Sequence, residues 1–167
     1  MANKTDGPDE VRLPLSTVSS LEAVLGEESP RLLLDLGREA GQLLSDALRA
    51  EEGEQDDQPI ERFWSTLRAF FQERGWGDLD VEQPHPGVGL IRAEPPQESG
   101  FPARFFGATL GGLLSSVAGD RVAVTALEAD QGDERQLFAF GAPDTISRFV
   151  AEVRHAEGNV PEALGRI

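Results

Sequence analysis

The chain has no cysteine and no tyrosine, and Lys4 is its single lysine in 167 residues. Without cysteine there is no disulfide scaffold, no thiolate nucleophile, no thiolate metal site and no S-acylation. The scarcity of lysine leaves nearly all positive charge on arginine, which we read as a compositional bias rather than as a sign of an arginine-dependent site. Positive charge is itself short. Thirty acidic residues stand against 15 basic ones, giving a net charge of −15 and a pI near 4.4. Such a surface repels phosphate backbones and anionic lipid at long range, so nucleic acid is not expected as a partner. Long apolar runs are also missing. The weakly polar stretch from Phe105 to Gly119 falls short of the ~20 residues a spanning helix needs, and "MANKTDGPDE" has no apolar signal core. The expectation is a soluble cytoplasmic protein with no membrane insertion.

What is present divides by punctuation. Residues 1–11 read as a flexible N-terminus, and "LSTVSSLEAVLG" as a short helix capped at Ser19 or Ser20 and stopped by Gly26. Ser29 and Pro30 open a long helix that places Leu33, Leu36, Ala40, Leu43, Leu44, Ala47 and Leu48 on one stripe. Gly37 and Gly41, one turn apart, cost that helix ~1 kcal/mol each relative to alanine, so another backbone or a ligand is expected to come close there. The acidic stretch "EEGEQDDQ" reads as a solvated loop. A second helix from Pro59 to Gly75 carries Ile60, Phe63, Trp64, Leu67, Phe70 and Phe71 at spacings of three and four, a core pattern.

The period then changes to two. "DLDVEQ" and "VGLIRAE" flank the turn "PHPG" as one hairpin. A third helix, "FPARFFGATLGGLLSSVAG", has Phe105, Phe106, Leu110, Leu113, Leu114 and Val117 as its apolar set, with Gly107, Gly111 and Gly112 allowing close approach. "RVAVTALE" and "RQLFAF" form a second hairpin, and "PDTISRFVAEVRHAE" a last helix. This order predicts an α+β fold in which an antiparallel sheet of two hairpins packs against about four helices.

No nucleotide loop, nucleophile elbow, zinc-protease helix or dinucleotide fingerprint occurs. His85 lies in a turn and His155 in the last helix, so a two-histidine site would have to join them. Acidic residues are too plentiful for any pair to mark a general acid or base.

The segments "RLLLDLGREAGQLLSDAL", "FFQERGWGDLDVEQ" and "FFGATLGGLLSSVAGDRVAVTALEADQGDERQLFAF" resemble, in order and spacing, the 4-vinyl-reductase-type domain, also described as a predicted hydrocarbon-binding domain. That family is similar in fold to subunits of transport-particle tethering complexes. The likeness covers residues 12–155, leaving 156–167 as a C-terminal tail. It implies a pocket for a small apolar ligand between helices and sheet, and homodimerisation through helices. Many members bind zinc through two cysteines in the second hairpin. Setting Gly132 on the family glycine puts Thr125, Glu128 and Gln136 where those relatives have ligands, so no metal is expected here.

The resemblance, with nine phenylalanines, two tryptophans and no tyrosine, predicts a non-enzymatic domain that binds a small hydrophobic molecule as carrier or sensor, without a cofactor. Phe63, Trp64, Leu67, Phe105, Phe106, Leu110 and Phe138 are the expected lining, the same residues serving equally as plain core. Gly37 and Gly41 are the expected dimer interface. Two alternatives stay open: a structural dimer or adaptor without ligand, and a reductase or accessory protein acting on a tetrapyrrole or aromatic compound.

Overall fold

The computed structural model describes residues 30–52, 60–73, 75–94, 103–128 and 135–167, with isolated helical positions at 17, 20 and 24. The rest of the short helix expected before Gly26, the loop "EPPQESGFP" beyond Glu94 and the second hairpin's turn, including Gly132 and Asp133, lie outside the described residues.

Helix α1 spans Pro30–Glu52 and α2 spans Ile60–Glu73. Gly75, at φ +69°, takes the left-handed conformation that closes α2. Its N–H donates to the Gln72 carbonyl, and the Trp76 N–H reaches back five residues to the Phe71 carbonyl, a glycine-dependent helix stop. Strands β1 (Asp78–His85) and β2 (Val88–Glu94) follow, then α3 (Ala103–Ala118), β3 (Ala123–Leu127), β4 (Gln136–Gly141), α4 (Pro143–His155) and α5 (Val160–Leu164).

The strands form one antiparallel sheet in the order β1-β2-β4-β3. The two expected hairpins are therefore fused, with Leu90 opposite Ala139 and Ile91 opposite Phe138. Strand alternation sends Leu79, Ile91, Ala93 and Phe138 to one face, against α2 and α3, and Val88, Leu90, Leu127 and Ala139 to the other, against α4 and α5. Burial on both faces is why β2 reads as a nearly unbroken apolar run. Residues 156–167, expected as a tail, are part of this second layer. Asn159 caps α5 by accepting from the Glu162 N–H, and Ala156 and Ala163 are buried, with Val160, Leu164 and Ile167 packed beside them.

Helix α1 packs chiefly on α3, and it does so through glycine. A Cβ on Gly37 would lie 2.6 Å from Ala108 Cβ, and one on Gly112 2.7 Å from the Arg38 carbonyl oxygen. One on Gly41 would overlap the Thr109 carbonyl and sit 2.7 Å from the Leu113 nitrogen. The backbone approach inferred from these glycines is thus made within the chain. The expected leucine stripe needs correcting. Leu36 and Leu43 are 40% and 71% exposed, as Leu32 is at 49%, because α1 meets its neighbour along the Gly37, Gly41 and Ser45 line. Backbone-to-backbone packing leaves the next row of leucines beyond reach of α3.

Candidate functional site

The aromatic side chains gather on one face of the sheet. Phe71, Phe106 and Phe138 are fully buried at its base, with Phe106 stacked on Phe138 at 5.7 Å and Phe71 edge-on to Phe106 at 5.2 Å. Trp76 closes one side, 5.3 Å from Phe71 and 6.4 Å from Phe105. Leu67 and Leu110 fill the space around these rings. At the other end Phe63 and Trp64 meet edge to face at 4.8 Å, and Trp64 lies 5.7 Å from Phe140. These last three are half-buried.

All seven side chains expected as lining therefore share one apolar cluster, graded from a closed base to an open rim. Leu67, Phe105, Phe106, Leu110 and Phe138 belong to the base; Phe63 and Trp64 belong to the rim. Phe140, which the sequence offers with Phe138 as packing on the core, is not among the expected lining residues. It shares the face of Phe138 two positions on, and its ring covers Gly89, where any Cβ would overlap it. Parity with Phe138 and the glycine at the facing strand position were the available signals.

Gln136, at a position where relatives carry a cysteine, uses its side-chain amide to donate to the Leu127 carbonyl at 3.1 Å, clipping β4 to β3. Glu128 is exposed. Among the described residues no group of three or more histidine, aspartate or glutamate side chains could hold a metal ion. His85 is taken up by its own turn, its Nδ1 accepting from the Gly87 N–H at 3.1 Å. None of the described helices is long and apolar enough to cross a membrane.

A second concavity lies elsewhere. An open groove of about 1230 Å³ runs between α1, α3 and β3. Its floor is Ala103, Gly107, Ala108, Gly111 and Gly112; Leu34, Arg38, Gln42 and Asp46 form one wall and residues 119–126 the other. None of the seven aromatic-cluster residues lines it. Backed by the cluster, its floor is thin: a Cβ on Gly107 would come within 3.3 Å of the Phe138 ring.

Charged groups hold the opposite edge. Arg68 Nε donates to the Leu79 carbonyl at 2.6 Å, and its guanidinium sits 3.6 Å from Asp78 and 3.8 Å from Asp80. Arg92 pairs with Glu82 at 2.5 Å, and that hydrogen bond holds the Glu82 carboxyl below the usual carboxylate range against a smaller opposing effect of burial. The arrangement ties β1 to α2 and β2.

Two solved structures share this architecture. A vinyl-4-reductase family protein from Methanocaldococcus jannaschii is 18% identical with a TM-score of 0.50, the match covering 79% of this chain and 83% of that one. The phenol-responsive sensory domain of the transcription activator PoxR, solved with phenol, is 13% identical with a TM-score of 0.55, over 84% of this chain and 82% of that one. No family model and no curated protein matches the sequence. The α+β fold expected from the order of the elements is the fold of this chain.

Proposed function

We propose that the domain binds a small apolar or aromatic molecule at the rim of the aromatic cluster, between Phe63, Trp64 and Phe140. The observation that carries this reading is the grading of the cluster: half-buried rings stand above a packed base of Phe71, Phe106 and Phe138, with Phe105, Leu67 and Leu110 as its walls. A flat guest entering there exchanges water contact for edge and face contacts with rings. A shared fold with a phenol-responsive sensory domain supports a small-molecule guest in general. The role that fits such a guest best is carriage or sensing.

Both tryptophans belong to the cluster, so intrinsic fluorescence reads the site directly. Titration with phenol, toluene and naphthalene should quench or shift emission with a Kd of about 10–100 μM for the best fit, a range that seven to ten heavy atoms can supply. Trp64→Ala should weaken binding tenfold or more while Phe63→Leu weakens it less. No saturable change with any of the three would reject the assignment.

A second reading is favoured by one observation. Leu32, Leu36 and Leu43 lie on one exposed face of α1, and such a row is a fit surface for a second copy of the chain. Light scattering after size exclusion should then give a dimer that Leu43→Glu turns into a monomer. A monomer of the unaltered chain at tens of micromolar would exclude it.

A further inference from the structure

The two edges of the sheet are treated differently. The β1 edge is closed to further pairing: Pro84 lacks an N–H, the register slips between Glu82 and His85, and Arg68 occupies the Leu79 carbonyl. Strand β3, at the other edge, has no charge and no proline between Val122 and Leu127. Among the described residues no strand pairs with its outer side.

The groove follows that open edge. Consecutive strand residues point to opposite faces, so a cavity touched by each of Val122 to Ala126 lies along the backbone edge and not over one face. At about 1230 Å³ it is several times the volume that holds a benzene-sized guest, and it stays open to solvent, so a small apolar molecule would be poorly enclosed. An extended peptide would meet both the unpaired backbone groups of β3 and the small-residue floor of α3. The rim supplies a sign. Arg38, Arg104 and Arg121 line the groove against Asp46 and Asp120, and Arg38 is itself paired with Asp35 at 3.5 Å. Arg104 and Arg121 have no ion-pair partner among the described residues.

We propose that the α1–α3–β3 groove is a docking site for an extended, acidic peptide segment of a partner protein, added to the sheet as a fifth strand beside β3. This would give a ligand-binding domain a route to an output protein, and it stands independently of the aromatic site.

The test uses two labelled peptides with the same central run of alternating valine and threonine, one flanked by glutamates and the other by lysines. Fluorescence anisotropy on the full chain should show the acidic peptide binding at least tenfold more tightly. Ala126→Lys, which places a charge at an exposed position of the edge, should reduce that binding tenfold or more. Arg104→Glu with Arg121→Glu should erase the preference for the acidic peptide, while thermal unfolding of both variants stays near that of the unaltered chain. Hydrogen exchange should show the outward amides of residues 122–126 fast in the free protein and slowed by the peptide. Equal affinity for both peptides, or no binding, overturns the proposal. Slow exchange of those amides in the free protein assigns the edge to another segment of this chain, and slowing that grows with protein concentration assigns it to a second copy. Either result also overturns it. Loss of small-molecule binding alone leaves all these readouts unchanged.

Discussion

Adjacent glycines in α3 should respond to alanine with opposite signs. A Cβ on Gly111 would meet Val124 Cγ2 at 3.7 Å, an ordinary contact, so Gly111→Ala keeps only the gain in helix propensity, about 1 kcal/mol. A Cβ on Gly112 would lie 2.7 Å from the Arg38 carbonyl oxygen and 3.0 Å from Arg38 Cα, both backbone atoms of α1. Carbon contacts are comfortable only at about 3.5–4.0 Å, so α1 must retreat by roughly half an ångström or more along its whole contact. Overpacking costs about 1–3 kcal/mol, and against backbone atoms that cannot rotate aside the upper part of that range applies, about 2–3 kcal/mol, which exceeds the propensity gain of about 1 and leaves Gly112→Ala about 1–2 kcal/mol less stable. Urea midpoints and thermal scans measure both. For a chain of this size Gly111→Ala should raise Tm by about 2–4 °C, and Gly112→Ala should lower it by about 2–8 °C. Equal shifts, or a more stable Gly112→Ala, would refute the idea that α1 is held on α3 by backbone approach.

Other predictions follow from the packing. Ser45 is buried with its hydroxyl unpaired among the described residues, so Ser45→Ala should leave stability unchanged or raise it by about 1 kcal/mol, as urea unfolding would report; a loss above that would show a hidden partner. Gly89→Val forces a branched side chain into the Phe140 ring and should cost about 2–3 kcal/mol, with a fall in Tm to match. Ending the chain at Glu157 removes the cover that α5 gives Ile146, Phe149 and Val153, so the truncated protein should unfold at lower urea and bind more of a hydrophobic dye. The Glu82 carboxyl, lowered by its hydrogen bond from Arg92, contributes stability that is present above the ordinary glutamate value of about 4.3 and is lost as pH falls through the depressed folded-state value. The pair is partly exposed and worth less than ~1 kcal/mol, so the sharper readout is carboxyl NMR, in which Arg92→Met should move the Glu82 midpoint upward.

Local pattern made most elements legible. The change from a helical period in Ile60–Glu73 to alternation in Asp78–His85 located α2 and β1, and glycine spacing announced a close approach to α1, though the expected partner was a second copy and the observed one is α3 of the same chain. The leucines of α1 misled for a physical reason. Periodicity reports which side chains share a face, whereas the partner's distance decides which faces are covered, and glycine packing moved the covered face away from Leu36 and Leu43. The aromatic cluster was readable from α2 and α3, but Phe140 reads in the sequence only as core packing beside Phe138, because its place at the rim depends on Gly89, 51 positions earlier and joined to it by the β2–β4 pairing. The groove was invisible for the same reason. It exists because β4 inserts between β2 and β3 and leaves β3 at an edge, a fact of topology that no single segment carries. The terminal residues lacked a long periodic run, yet Ala163 is fully buried, since a five-residue helix needs only one small side chain to seat against α4.

The account turns on where a small aromatic molecule sits. NMR with isotope-labelled protein and unlabelled phenol or naphthalene measures this through contacts between ligand protons and assigned side chains. The account predicts contacts to Phe63, Trp64 and Phe140 first, extending to Phe106 and Phe138 for the larger guest, and none to Gly107 or Gly111 in the groove. Contacts confined to the groove, or no contact with any ring of the cluster, would contradict it.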